Sequence, residues 1–307
     1  MQIQWYPGHM HKASKELKEI LPKVDLIIEV LDARIPFSSE NPMLASIRGD
    51  KPCIKILNKN DLADDEKTQQ WQDYLDKKKG IKTIAINMSQ PEKIHQLTAL
   101  CHKMVPNRKE TDEPLNAVIV GIPNVGKSTI INILVGRSIA KTGNEPAVTK
   151  GQQKIALKEH NILLFDTPGM LWGNIENINS GYRLAATGAI KDTAIEIDDV
   201  GFFTAEYLLE QYPELLRERY QLESLPQTEL EFLELIGKKR GCLRSGGIID
   251  LVKISKILLT ELRDGVLGKV TMELPAIMEQ EIAETAIKVA KKEAKKADKK
   301  SRRKKKR

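Results

Sequence analysis

Gly121-Ile122-Pro123-Asn124-Val125-Gly126-Lys127-Ser128 follows the apolar run Leu115-Asn116-Ala117-Val118-Ile119-Val120 and precedes a helical pattern over 127–135. A glycine-bearing turn between a strand and a helix is the context that a phosphate-binding loop requires. Its glycines let backbone N–H groups of Asn124, Val125, Gly126, Lys127, Ser128 and Thr129 close around nucleotide phosphates, where the helix dipole favours anions. Lys127 is expected to reach the β- and γ-phosphates, which makes it a catalytic as well as a binding residue. Ser128 is expected to offer its hydroxyl to Mg²⁺.

Downstream, Ile162-Leu163-Leu164-Phe165-Asp166-Thr167-Pro168-Gly169 reads as a buried strand ending in a carboxylate. Asp166 is the expected holder of the Mg²⁺ hydration shell. Gly169 is the expected γ-phosphate sensor, because no Cβ blocks its N–H. Between the two motifs, Thr149 follows a loop with Gly143 and Pro146. A hydroxyl there binds Mg²⁺ only while the γ-phosphate is present, which makes the loop a switch. Thr142 is the competing hydroxyl.

The base reader lies upstream, at Asn58-Lys59-Asn60-Asp61 after the strand-like Cys53-Ile54-Lys55-Ile56-Leu57. A carboxylate at Asp61 accepts from N1–H and the 2-amino group of guanine, whereas adenine leaves it unpaired, and a buried mismatch is rejected by large factors. Asn58 either bonds the base or braces the phosphate loop; the Lys59 stem covers the ring. Together with the phosphate loop this motif selects GTP over ATP.

Apolar, β-rich runs at 25–31, 53–57, 82–86, 117–120, 153–157 and 162–165, with helical patterns near 64–79, 92–104 and 127–135, predict an α/β domain with a mostly parallel sheet flanked by helices. From about residue 180 only helical patterns remain, at 198–211, 227–238 and 248–263. The expected organisation is a nucleotide domain over 1–177, an all-α domain over 178–285 and a basic disordered tail over 286–307.

Charge sharpens this division. The chain of 307 residues carries 49 Lys+Arg against 42 Asp+Glu, net +7. Residues 288–307 hold 13 basic and 2 acidic side chains, a local +11, which leaves −4 for the body. A uniformly basic nucleic-acid-coating protein is excluded. The tail reads as a solvated run or as an RNA tether whose grip weakens with salt. No apolar run approaches the roughly 18 residues of a membrane span, so no membrane partner is expected. Three dispersed cysteines and no visible signal peptide fit a reducing cytoplasm.

The order of the motifs is unusual. The guanine motif comes some sixty residues before the phosphate loop, where an ordinary GTPase places it last. This order resembles that of the circularly permuted GTPases. With Trp5-Tyr6-Pro7-Gly8-His9-Met10 and Asp32-Ala33-Arg34-Ile35-Pro36, the likeness is to the ribosome-biogenesis GTPase A (YlqF-type) family, up to about residue 270. The resemblance implies a P-loop GTPase domain of permuted motif order followed by a helical domain implicated in contacting ribosomal RNA. It also implies His9 as the group that aligns water or accepts its proton, because Met170 stands where a water-orienting glutamine usually follows D-x-x-G. His11, or no intrinsic group, are the alternatives. By the same resemblance Asn124 is the expected K⁺ ligand. The family's S-A-K element at the base is missing, and Asn87-Met88-Ser89 is assigned to its place by position alone, after the strand Lys82–Ile86. Ala147 departs from the family's usual glycine in switch I.

These readings converge on GTP as substrate, Mg²⁺ and, by the resemblance, K⁺ as cofactors, and the large (50S) ribosomal subunit precursor with its rRNA as partner, a monomer being favoured. Two other functions share the motifs: an RNA-binding scaffold that uses GTP as a slow timer or structural ligand, and a GTPase with a non-ribosomal target.

Overall fold

A computed structural model describes residues 3–106, 108, 113–137 and 153–304. The chain starts with helix α1 (Gly8–Ile20) and strand β1 (Leu26–Asp32), then short helices α2 (Pro36–Ser39) and α3 (Pro42–Ile47). Strand β2 (Cys53–Asn58), helix α4 (Asp65–Asp76), strand β3 (Ile81–Ile86) and helix α5 (Pro91–Met104) follow. Then come β4 (Leu115–Gly121), α6 (Lys127–Val135), β5 (Gln153–Leu157) and β6 (Ile162–Asp166). All six apolar runs read from the sequence are strands.

They form one sheet of order β3-β2-β1-β4-β6-β5. Every neighbouring pair is parallel except β5 with β6. β1 and β2 are buried at every residue, as strands covered by helices on both faces must be, hence their continuous apolar runs. β1 proceeds outward to β2 and β3, and β4 proceeds the other way to β6 and β5. The strand order therefore reverses between β1 and β4. In open α/β sheets a ligand sits in the crevice beyond the carboxyl ends of the strands at such a point. The register aligns those ends: Asp32 pairs with Asn58, Asn58 with Ile86, Val30 with Gly121 and Ile119 with Asp166.

Past the sheet the chain is helical: α7 (Ile178–Ala186), α8 (Ile197–Gln211), α9 (Pro213–Tyr220), α10 (Glu229–Lys239), α11 (Leu251–Arg263) and α12 (Pro275–Lys304). α8 and α11 cross closely, since a Cβ on Gly201 would run into Ser255. Residues 264–274 then return to the sheet. Val270 N–H donates to Leu62 O (2.9 Å), Met272 N–H to Arg34 O (2.7 Å) and Trp71 Nε1–H to Glu273 O (3.0 Å). The buried Glu273 carboxylate accepts from the N–H groups of Phe37 and Ser38 and from the Ser38 hydroxyl. This strap holds the helices against the nucleotide domain.

One expectation is corrected. The sequence reading takes 286–307 as a disordered run, but α12 continues to Lys304. The segment after Pro275 lacks Gly and Pro and is rich in Ala, Glu and Lys, the residues that lose least on entering a helix. High charge excludes a core of its own; it does not exclude a helix anchored at one end. The anchor is Met278, buried, and Glu281, which accepts from Asn177 Nδ2 (2.8 Å), Asn179 Nδ2 (3.1 Å) and Arg183 Nη2 (2.7 Å). Among the described residues no helix is long and apolar enough to cross a membrane.

Candidate functional site

The phosphate loop leaves β4 and turns into α6. Gly126 has φ +99°, and a Cβ there would collide with the Asn58 amide. Only glycine fits both the backbone and the approach. Asn58, 1% exposed, donates from Nδ2 to Val125 O at 2.6 Å. Of the two roles open to it in the sequence, bracing the phosphate loop is the contact present. Lys127, the first residue of α6, is buried; burial lowers its ammonium pKa, and Asp166 pulls the other way. Ser128 and Thr129 are half-buried on the first turn of α6.

Asp166, at the end of β6, is 1% exposed, and both its carboxylate oxygens lack a hydrogen-bond partner. Burial pushes its carboxyl up to about 6, against the lowering effect of Lys127. A buried carboxylate with no donors is costly unless a cation or its water shell supplies the missing interactions. The orphaned oxygens, beside Lys127, fit a Mg²⁺ site with Ser128 as the hydroxyl ligand. Thr149 and Thr142 lie outside the described residues.

The Asn58–Asp61 loop and the segment after β3 are tied together. Asn87 Nδ2 donates to Asn60 Oδ1 (2.7 Å), and Ser89 N–H donates to Asn87 Oδ1 (2.9 Å). Met88 Cε lies 3.7 Å from where a Gly126 Cβ would sit. Asn87 and Met88 thus stand between the guanine loop and the phosphate loop. Asp61 is exposed, free of the packing that holds Asn58.

The structure adds residues whose roles sequence reasoning missed. Asp32 is buried and accepts from Arg34 Nε (2.9 Å), Arg34 Nη2 (2.7 Å) and Lys59 Nζ (3.0 Å). Burial would raise this carboxyl, but Arg34 and Lys59 outweigh it and hold it well below the carboxylate range. Arg34, 1% exposed, also reaches the Leu262 and Arg263 carbonyls at 3.5 Å, at the C-terminal end of α11. Lys59 of the guanine motif is therefore linked through two buried side chains to the helical region. Asp32 and Arg34 stood out in the sequence, but nothing local revealed what they join.

The segment after Asp166 lies against the phosphate loop. Thr167 Oγ1–H donates to Ile119 O (2.8 Å) and Met170 N–H to Gly121 O (3.1 Å). A Cβ on Gly169 would stand 3.0 Å from Pro123 Cα. Met170 and Leu171 are buried, and Leu171 N–H points to Met10 Sδ at 3.5 Å. Ser14 of α1 reaches Met170 Sδ at 4.0 Å. His9 is exposed on the first turn of α1; the contacts from that helix to the segment following Gly169 are made by Met10 and Ser14. Asn124, with φ +57°, donates from Nδ2 to Gly188 O at 2.9 Å, just past α7. This amide bridges the phosphate loop to the helical region, a contact the K⁺ expectation did not include.

A family model described as "50S ribosome-binding GTPase" matches residues 116–224. The chain is 44% identical over 291 residues to a Bacillus cereus protein called "Ribosome biogenesis GTPase A", covering 92% of this chain and 98% of that one. It is 42% identical over 290 residues to a Priestia megaterium protein of the same name, covering 92% and 100%. Among solved structures it resembles GNP-bound YlqF from T. maritima with a TM-score of 0.59 at 30% identity, over 86% of this chain and 98% of that one. With the phosphate loop, the guanine motif and the permuted strand order in one crevice, the chain belongs to the ribosome biogenesis GTPase A family, the YlqF-type circularly permuted GTPases.

Proposed function

We propose that this GTPase is an assembly factor for the large ribosomal subunit, binding rRNA of the 50S precursor with GTP bound and leaving after hydrolysis. The observation that carries the proposal is the chain path after Asp166. Met170 is bonded to the phosphate loop, and within eight residues the chain enters α7. The start of α7 holds Glu281 of α12, and its Arg183 faces the strap carboxylate of Glu273 (3.7 Å). A γ-phosphate-dependent shift at Gly169 would thus pass by covalent connection into the helices.

In this reading Asn58, Lys59, Asp61, Asn87 and Met88 position guanine, and residues 124–129 with Lys127 hold the phosphates. Ser128, Asp166 and Thr149 would hold Mg²⁺, which when bound with GTP neutralises charge on the β- and γ-phosphate oxygens. His9 orients the attacking water or accepts its proton as the water oxygen bonds the γ-phosphorus and the bond from that phosphorus to the β–γ bridging oxygen breaks, releasing GDP and phosphate. The Asn124 carbonyl oxygen is the proposed K⁺ ligand.

The test is GTP turnover with and without pre-50S or 50S particles. Turnover is expected to be slow alone and faster with particles; equal rates defeat the coupling. Co-sedimentation with a non-hydrolysable GTP analogue is expected with the large subunit only. His9→Ala is expected to lower the stimulated rate far more than GTP affinity, and an unchanged rate removes His9 from the mechanism. Met170, buried under α1 in place of a water-orienting side chain, favours one second reading: a scaffold for which GTP is a slow timer. It predicts no acceleration by particles in single-turnover hydrolysis.

A further inference from the structure

Charge in the helical region is segregated. Residues 196–237 hold eleven acidic side chains and two basic ones, net −9, whereas residues 238–256 hold six basic and one acidic, net +5. A polyanion approaching this region is repelled by the first segment and attracted by the second.

The basic segment is built around a hairpin between α10 and α11. Leu243 and Ile249 form an antiparallel bridge; Arg244 N–H donates to Ile248 O (2.8 Å) and Asp250 N–H to Cys242 O (2.8 Å). At its tip Gly246 and Gly247 both have positive φ, +81° and +77°, a turn that residues with a Cβ enter only with strain. Its base is rigid. Cys242 is fully buried, a Cβ on Gly237 would sit 2.8 Å from Ile249, and Asp250 caps α11 by accepting from Lys253 N–H (3.0 Å). The outward side is apolar where solvent would call for polar residues. Ile248 is 67% exposed, more than the other exposed large hydrophobics, and Leu243 is 50% exposed. Lys238, Lys253 and Lys256 are exposed as well and make no ion pair among the described residues. Arg244, by contrast, is held by Asp250 (3.0 Å).

We infer that this hairpin with Lys238, Lys253 and Lys256 is a docking surface for RNA, in which the lysines meet phosphates and Ile248 and Leu243 lie against sugar or base faces. The inference rests on the proposed RNA contact of the helical region and says which surface makes it. It differs from the cationic helix α12 in carrying a fixed shape and apolar contacts as well as charge. Charge complementarity favours a polyanion such as RNA, because within the helical region the net +5 of residues 238–256 flanks this hairpin while residues 196–237 carry −9.

The test uses the full chain and a Lys238→Glu/Lys253→Glu/Lys256→Glu variant, each with and without residues 288–307. Binding to transcribed large-subunit rRNA is measured across a salt series, with basal GTP turnover and melting temperature as controls. The triple variant is expected to keep both controls, lose roughly tenfold or more in RNA affinity, and flatten the log affinity against log salt slope by about 2–3, also in the shortened chain. Ile248→Ser alone is expected to weaken binding with the slope unchanged. Wild-type binding to rRNA with no loss in the triple variant overturns this surface but not the RNA contact. Absence of wild-type binding overturns both. Loss with Ile248→Ser on protein-bearing particles, with none on naked rRNA, makes the hairpin a protein contact and also overturns the inference.

Discussion

Replacing Asp166 with Asn is expected to stabilise the nucleotide-free protein while abolishing its use of Mg²⁺. The Asp166 carboxyl is buried, lacks hydrogen-bond partners and is pushed up to about 6 from an ordinary 3.8. A shift of about two units corresponds to about 3 kcal/mol of destabilisation of the charged form. In the unfolded chain the group titrates near 4, so above pH 6 it is charged in both states and the whole penalty falls on the fold. As pH drops through 6 the folded carboxyl takes up a proton and the penalty shrinks, to about half at pH 5; below about 4 it vanishes. Asn carries no charge, so its advantage should reach at most about 3 kcal/mol at pH 7.5, reduced by the unpaired amide. Urea denaturation of both proteins without nucleotide, at pH 7.5 and pH 5, measures it. Equal stability at pH 7.5, or a gap that does not narrow on acidification, would refute the reasoning. Mg²⁺-dependent GTP binding by the Asn variant should be lost in the same preparations.

Arg34→Ala should destabilise the fold by roughly 3–5 kcal/mol, because it strips a buried carboxylate of its bidentate partner; the Asp32→Asn/Arg34→Met double variant should recover much of that loss in the same denaturation assay. Asp61→Asn should lower GTP affinity and raise relative affinity for XTP, whose 2-oxo group accepts from the new amide, in a competition assay; unchanged base preference would remove Asp61 from guanine recognition. Deleting residues 288–307 takes away thirteen basic side chains and should weaken RNA binding and its salt dependence while leaving GTP affinity intact, by filter binding across salt concentrations.

Much of the nucleotide domain was legible because its determinants are local. A parallel strand covered on both faces is a continuous apolar run, so β1, β2 and β4 announce themselves. The phosphate loop is eight consecutive residues whose backbone does the work. Helix α12 was not legible in the same way: a Lys-rich run satisfies the composition of a disordered tail and of a helix equally, and an anchor more than a hundred residues upstream, at Asn177 and Arg183, distinguishes them. The Asp32 contact to Lys59 spans 27 residues and the Arg34 contact to Leu262 spans 228. No periodicity encodes such pairings.

The sequence by itself determined the chemistry on offer: a phosphate loop, a guanine reader, a permuted order and a +11 terminal stretch. Each depends on residue identity at fixed spacing along the chain. Tertiary structure alone decided what those parts are connected to. The strap of 264–274 seats the helices on the nucleotide domain, Arg34 joins the guanine motif to α11, Asn124 joins the phosphate loop to the residues just past α7, and Met170 lies against Ser14 of α1. These are buried polar and packing contacts between distant segments. Their energies exist only once folding has removed water from both partners.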